Sequence, residues 1–267
     1  MKKILDNEWV TKEVLITVKA YPNPSISHRE TCCIAGITNE KEWIRIYPVK
    51  FRELNIEKRP RKYDIFRMKV FKDKHDKRIE SYRPDEESFE KIGHLRKWEE
   101  RKEWILPIAS KSMCEIQYLS DEHKKSLGIF KPLKIVDLII EEDDLEWKPR
   151  QIAIMKQTLL FEKSKDILEK IPYKFSYHYF CNEPTCRGHK QIIVDWEICE
   201  LYRKMRNKYG NDIESIKRDI KNKFLYEIFG PEKDTHLFVG DLHWHPGSFI
   251  ILGVFWPPIE KIIKLFN

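Results

Sequence analysis

Cys181, Cys186 and His189 are the residues of this 267-residue sequence whose types and spacing most directly suggest chemistry. Two thiolates with four residues between them, and an imidazole three positions on, can close around one tetrahedral Zn²⁺. Pro184 and Gly188 supply the turns that such a knuckle needs. The expected fourth donor is a distant histidine. His178 precedes the knuckle, while His236, His243 and His245 cluster near the end of the chain. His243 and His245 would project to one side of an extended segment, so His245, or else His243, is expected to complete the site. A closed set of protein donors makes the ion structural, whereas a water in the fourth position would make it catalytic. The other cysteines read differently: Cys32 and Cys33 would face opposite sides of a strand, and Cys114 and Cys199 read as small core residues.

Asp195 is the acid that stands out, because it interrupts the apolar run Ile192, Ile193, Val194 and Trp196. A buried carboxylate is costly unless it is paired or bound to a cation. Pairing with Arg203, Lys204 or a backbone amide is one account of it. The other is a metal-dependent nuclease in which Asp195 and Glu197 bind the ion or position water. On a helix these two acids would lie about 200° apart and form no chelate; on a strand they would share a face. The sequence contains neither G-x-x-x-x-G-K nor G-x-G-x-x-G, which argues against nucleotide hydrolysis and dinucleotide redox chemistry.

Trp43, Arg45, Tyr47, Lys50 and Arg52 interleave aromatic and cationic side chains in and after one strand. That pattern can stack bases and neutralise phosphates. It also fits an ordinary amphipathic strand with its aromatics inside. The formal net charge of +7 suits an acidic polymer and equally a solvated basic surface.

The elements that must position these residues are short. Residues 13–20, 31–38, 43–47, 63–72 and 77–82 are β-branched or aromatic runs separated by turn-formers, which predicts five strands of an antiparallel barrel. A capping helix is expected from Asp85 until Pro107, and a second within 110–128. A strand is expected over 132–140, and 151–161 is ambiguous in period. An aromatic strand over 173–180 leads into the knuckle, followed by a helix from about Gln191 to Asn207, another capped by Asn211 or Asp212, a hairpin over 236–256 and a short amphipathic tail.

The segment TCCIAGITNEKEWIRIYPV resembles the opening of the prokaryotic dual OB-containing domains, through Cys33, Ala35, Gly36, Trp43, Ile44 and Arg45. This resemblance, over residues 13–50, implies an OB barrel touching DNA or RNA in mobile elements or defence systems.

The expectation is therefore an α+β protein: an OB-like antiparallel barrel with a capping helix over residues 1–108, then a helical middle and a zinc-knuckle α+β unit over 109–267. Its expected function is nucleic-acid binding around a structural zinc, the alternatives being the nuclease above and a subunit that recognises a protein partner. The amino terminus does not read as a secretory signal, and no run approaches the roughly 20 apolar residues of a membrane span. A cytoplasmic protein is expected.

Overall fold

A computed structural model describes residues 8–24, 30–73, 75–159, 166–243 and 245–260. The tail expected after Pro258 lies mostly outside the described residues, as do the first residues of the amino terminus.

Alternation along β1 (Trp9–Lys19) sends Val14 and Ile16 into one core and Leu15 into another. β2 (Cys32–Thr38) and β3 (Trp43–Val49) repeat this, with Ile34, Ile44 and Ile46 inside. β4 (Asp64–Lys72) and β5 (Ser81–Pro84) complete the ring. The order β1-β2-β3-β5-β4 closes through β1–β4 pairing, and β3 and β5 run parallel. This is a closed five-stranded, OB-like barrel.

The expected helix after Asp85 is shorter than its composition suggests. Asp85 caps only a 3₁₀ turn, and a sixth strand, β6 (Glu90–His94), pairs with β4. Phe89 is buried in the barrel core, which ties this segment to the sheet despite its helix-forming residues. The helix proper is α1 (Trp98–Ile105).

The second unit begins with α2 (Met113–His123), β7 (Leu127–Phe130), β8 (Pro132–Glu142) and α3 (Pro149–Leu159), which resolves the ambiguous segment as a helix. β9 (Tyr173–Cys181) and β10 (His189–Ile193) flank the knuckle. The chain then forms α4 (Trp196–Tyr209), α5 (Ile213–Lys221), β11 (His236–Leu242) and β12 (His245–Phe255). The helix expected from Gln191 thus starts five residues later. The β-branched Ile192 and Ile193 belong to β10, and Asp195 is the N-cap of α4.

The strands form a six-stranded sheet ordered β7-β11-β12-β10-β9-β8. Its two faces serve different cores. Leu237 and Val239 of β11 join α4 and α5 in the core of the second unit. Phe238 between them points the other way, with Leu252 and Phe255, onto Leu15, Ala35 and Ile37 of the barrel. The outer surface of β1 and β2 is thus an internal seam between the two units.

Candidate metal centre and barrel surface

The loop between β9 and β10 folds back because Cys186 N–H donates to the Glu183 carbonyl at 2.9 Å and Glu183 N–H to that of Cys181. Gly188 has φ +91°, a left-handed conformation that glycine adopts without a side-chain clash, and its N–H points at Cys186 Sγ, 3.4 Å away. The turn returns the chain in register, so that His189 pairs with Tyr179 and its ring stacks on that tyrosine at 5.1 Å.

This brings together the three predicted donors, Cys181, Cys186 and His189. The fourth residue of the group is Cys114 rather than His245 or His243. Cys114 Sγ lies 3.5 Å from Cys181 Sγ and 3.7 Å from His189 Nε2, and Cys181 Sγ is 3.5 Å from the same nitrogen. All four donor atoms fall within 4.8 Å of one another, and the group can hold a metal ion. With bonds of about 2.3 Å to sulfur and about 2.0 Å to nitrogen, the edges of a tetrahedral site are roughly 3.5–3.8 Å.

His245 is exposed at the start of β12, and His243 lies 3.6 Å from Asp76. The hairpin that carries them packs beside the barrel loops instead of the knuckle. Cys114 was missed because nothing in its spacing links it to Cys181, 67 positions later. The available signal was Ser112, whose side chain caps α2 and so sets Cys114 in the first turn of a helix.

The electrostatics suit a cation. Burial, and then the adjacent Cys181 sulfur, push the Cys114 thiol up to about 12. Burial also raises Cys186, but the backbone N–H groups of Cys181 and Gly188 outweigh it and hold that thiol below its usual range. Burial lowers His189, which favours the neutral imidazole that coordinates metals. Three thiols this close can all ionise only if a cation takes up their charge.

Asp195 and Glu197 do not converge. Asp195 Oδ1 accepts the Glu197 N–H at 2.9 Å, while the buried Oδ2 has no hydrogen-bond partner among the described residues. The Glu197 carboxylate turns outward and accepts from Lys62 Nζ at 2.9 Å. Burial, then the Glu197 charge, raise the Asp195 carboxyl to about 7, against the pull of Lys62 and Lys19. The backbone amide was among the expected pairings. Arg203 is not a partner: it binds Glu200 and Glu169.

The barrel residues expected to meet nucleic acid are divided. Trp43 meets Phe238 edge to face at 6.0 Å, and Arg45 is buried, donating to the Ser126 carbonyl at 2.9 Å with Asp241 at 3.7 Å. Both turn into the seam because β7 and β11 cover this part of β3. Tyr47 is half-buried. Lys50 is exposed beside Glu53, and Arg52 is held by Glu30 and the Asp166 carbonyl.

The cover is incomplete beside Trp43. A cleft of about 430 Å³ opens between Trp43, Ile79 and Tyr82 of the barrel and Ile116, Leu119 and Leu127 of α2 and β7, with Lys41 and Lys125 also in its lining. Lys125 is exposed.

No helix among the described residues is long and apolar enough to cross a membrane. No curated protein matches the chain. Residues 10–107 match a family model described as a domain of unknown function (DUF8758). Residues 109–267, more than half of the sequence, match another described as a domain of unknown function (DUF8757), and the chain belongs to that family.

Proposed function

We propose that this protein binds single-stranded nucleic acid in the cleft beside Trp43, with a structural Zn²⁺ held by Cys114, Cys181, Cys186 and His189. The cleft is the observation that carries this reading. OB-type barrels take oligonucleotides on the face of their second and third strands and on the loop between the fourth and fifth. Here the second unit covers most of that face, and the cleft is bounded by β3, the loop before β5 and β5 itself. Its volume lies within the roughly 300–1,000 Å³ usual for ligand sites. Trp43 and Tyr82 offer aromatic surface for a base, and Lys41 and Lys125 offer cations for its phosphate. Three thiolates and an imidazole form a closed zinc set with no position left for a reacting water, so the ion supports the fold.

Fluorescence polarisation with labelled 12-nucleotide DNA and RNA strands tests the reading. Affinity is expected to fall with salt as bound cations are displaced from phosphate. Trp43→Ala is expected to cost about 1–3 kcal/mol of binding, the usual worth of one stacked base. Leu119→Trp, which fills the cleft from α2, should weaken binding while leaving the melting temperature near that of the parent. Absence of salt-dependent affinity for either polymer would sink the proposal.

A further inference from the structure

The metal centre and the cleft share one element. Of the four donors, three come from the β9–β10 hairpin and one, Cys114, comes from the first turn of α2. The same helix places Ile116 and Leu119 in the cleft wall. Ile116 lies against the backbone of Gly128 in β7, where a Cβ would come within 2.7 Å of its terminal carbon. α2 therefore stands between the ion and the ligand space, with its donor on one side and its apolar wall on the other.

We infer that the metal is a latch on α2, so that occupancy of the Cys114 site sets the affinity of the cleft for nucleic acid. The inference rests on the functional reading above and adds its regulation. Without the ion, Cys114 keeps only weak sulfur contacts to Cys181 and His189, with nothing to hold three polar side chains at 3.5–3.7 Å. Among the described residues, the first turn of α2 is then held to the hairpin only by Met113, through its core packing and the Gln191 Nε2–Met113 Sδ contact at 3.6 Å. Met113 and Ile116 keep the helix in the core, so the change is a loosening of the wall rather than a loss of the fold. The ligand meets a wall that it must order on binding, and its affinity drops. Linkage makes the effect reciprocal: an oligonucleotide in the cleft holds α2 in place and retains the metal by the same factor.

The other donors cannot act in this way, because Cys181, Cys186 and His189 belong to one hairpin and close on each other through β9–β10 pairing. Cys114 is the one of the four donors that joins the hairpin to the helix. Chelation removes the ion from all four donors and so opens that joint while the hairpin keeps its β9–β10 pairing.

The experiment compares zinc-loaded protein, protein stripped with a chelator, and the variants Cys114→Ser and Cys114→His. Hydrogen exchange of residues 113–123 reads the latch without any ligand. Polarisation with a 12-nucleotide strand reads the cleft, and the equilibrium partition of zinc between the protein and a chromogenic chelator, with and without that strand, reads the reciprocal effect. The expected result is faster exchange in α2 on stripping, with β2 and β3 unchanged. Affinity should fall about tenfold in stripped protein and in Cys114→Ser, at the low end of usual coupling. Saturating strand should tighten zinc binding by a similar factor. Cys114→His keeps a donor and should restore both protection and affinity, which a merely structural cysteine would not show.

Equal exchange of α2 with and without zinc overturns the latch. Equal affinity of loaded and stripped protein overturns its link to the cleft. If the loaded protein binds no strand at all, the functional reading fails, and exchange alone decides whether the metal holds the wall.

Discussion

Phe238→Ala is expected to lower stability by about 3–5 kcal/mol, the usual cost of deleting a buried aromatic side chain. The residue is 1 % exposed, meets Trp43 edge to face, and packs on Phe255 at 6.4 Å. Its importance follows from its direction. Its neighbours Leu237 and Val239 serve the core of the second unit, whereas Phe238 fills the seam against Leu15, Ala35 and Ile37 of the barrel. The wild type is expected to unfold in one transition, because each unit leaves an apolar sheet face bare if the other departs. The variant should lose that coupling, so that far-ultraviolet circular dichroism and tryptophan emission report separate midpoints in urea. A shift below about 1 kcal/mol with a single transition would show that the seam does not bind the units together.

The seam also contains a polar cluster. Arg45 and Arg78 converge on the Asp241 carboxylate at 3.7 and 3.5 Å, and Glu80 accepts from the Ser126 backbone and hydroxyl. Buried charges of this kind are costly when a partner is lost. They tie Asp241 of β11 and Ser126 before β7 to β3 and the loop before β5, next to the cleft beside Trp43.

Much of this was legible from the sequence. The barrel strands showed themselves by turn residues and β-branched runs, and the knuckle by the spacing of its thiols. The segment after Asp85 misled because Glu and Lys favour a helix locally, while the free edge of β4 and the buried Phe89 drew it into the sheet. The role of Trp43 and Arg45 was not decidable from one strand, since an outward face is the same sequence whether it meets solvent, a ligand or a second sheet. A hint lay in LITV and IAGI, whose unbroken small and apolar character suits strands covered on both sides. Cys114 was the least legible: Ser112 marks the start of its helix, but a single cysteine in a helix carries no mark of the donors that tertiary packing brings to it.

Asp195→Asn is expected to change how stability depends on pH, with a full span of about 4 kcal/mol, from a pKa raised from 3.8 to about 7 at about 1.36 kcal/mol per unit. Below pH 3.8 both folded and unfolded chains hold the proton, and the contribution of the carboxyl is fully present. Between there and about pH 7 the unfolded chain releases its proton first, so the wild type loses stability as pH rises. The sign is opposite to that of a salt-bridged carboxylate. It arises because burial and Glu197 outweigh Lys62 and Lys19. Asparagine keeps the oxygen that caps Glu197 N–H and removes the charge, so it should leave the acid side nearly unchanged and stabilise the protein at pH 8. Urea titrations at intervals from pH 4 to 9, taken as the difference between variant and wild type, isolate this residue from the other acids. A flat difference would mean that the carboxylate is ionised throughout. A variant less stable than wild type at pH 8, more so with added Mg²⁺, would mean that Asp195 holds a cation, and would return it to the nuclease role that the burial of Asp195 and the outward turn of Glu197 otherwise argue against.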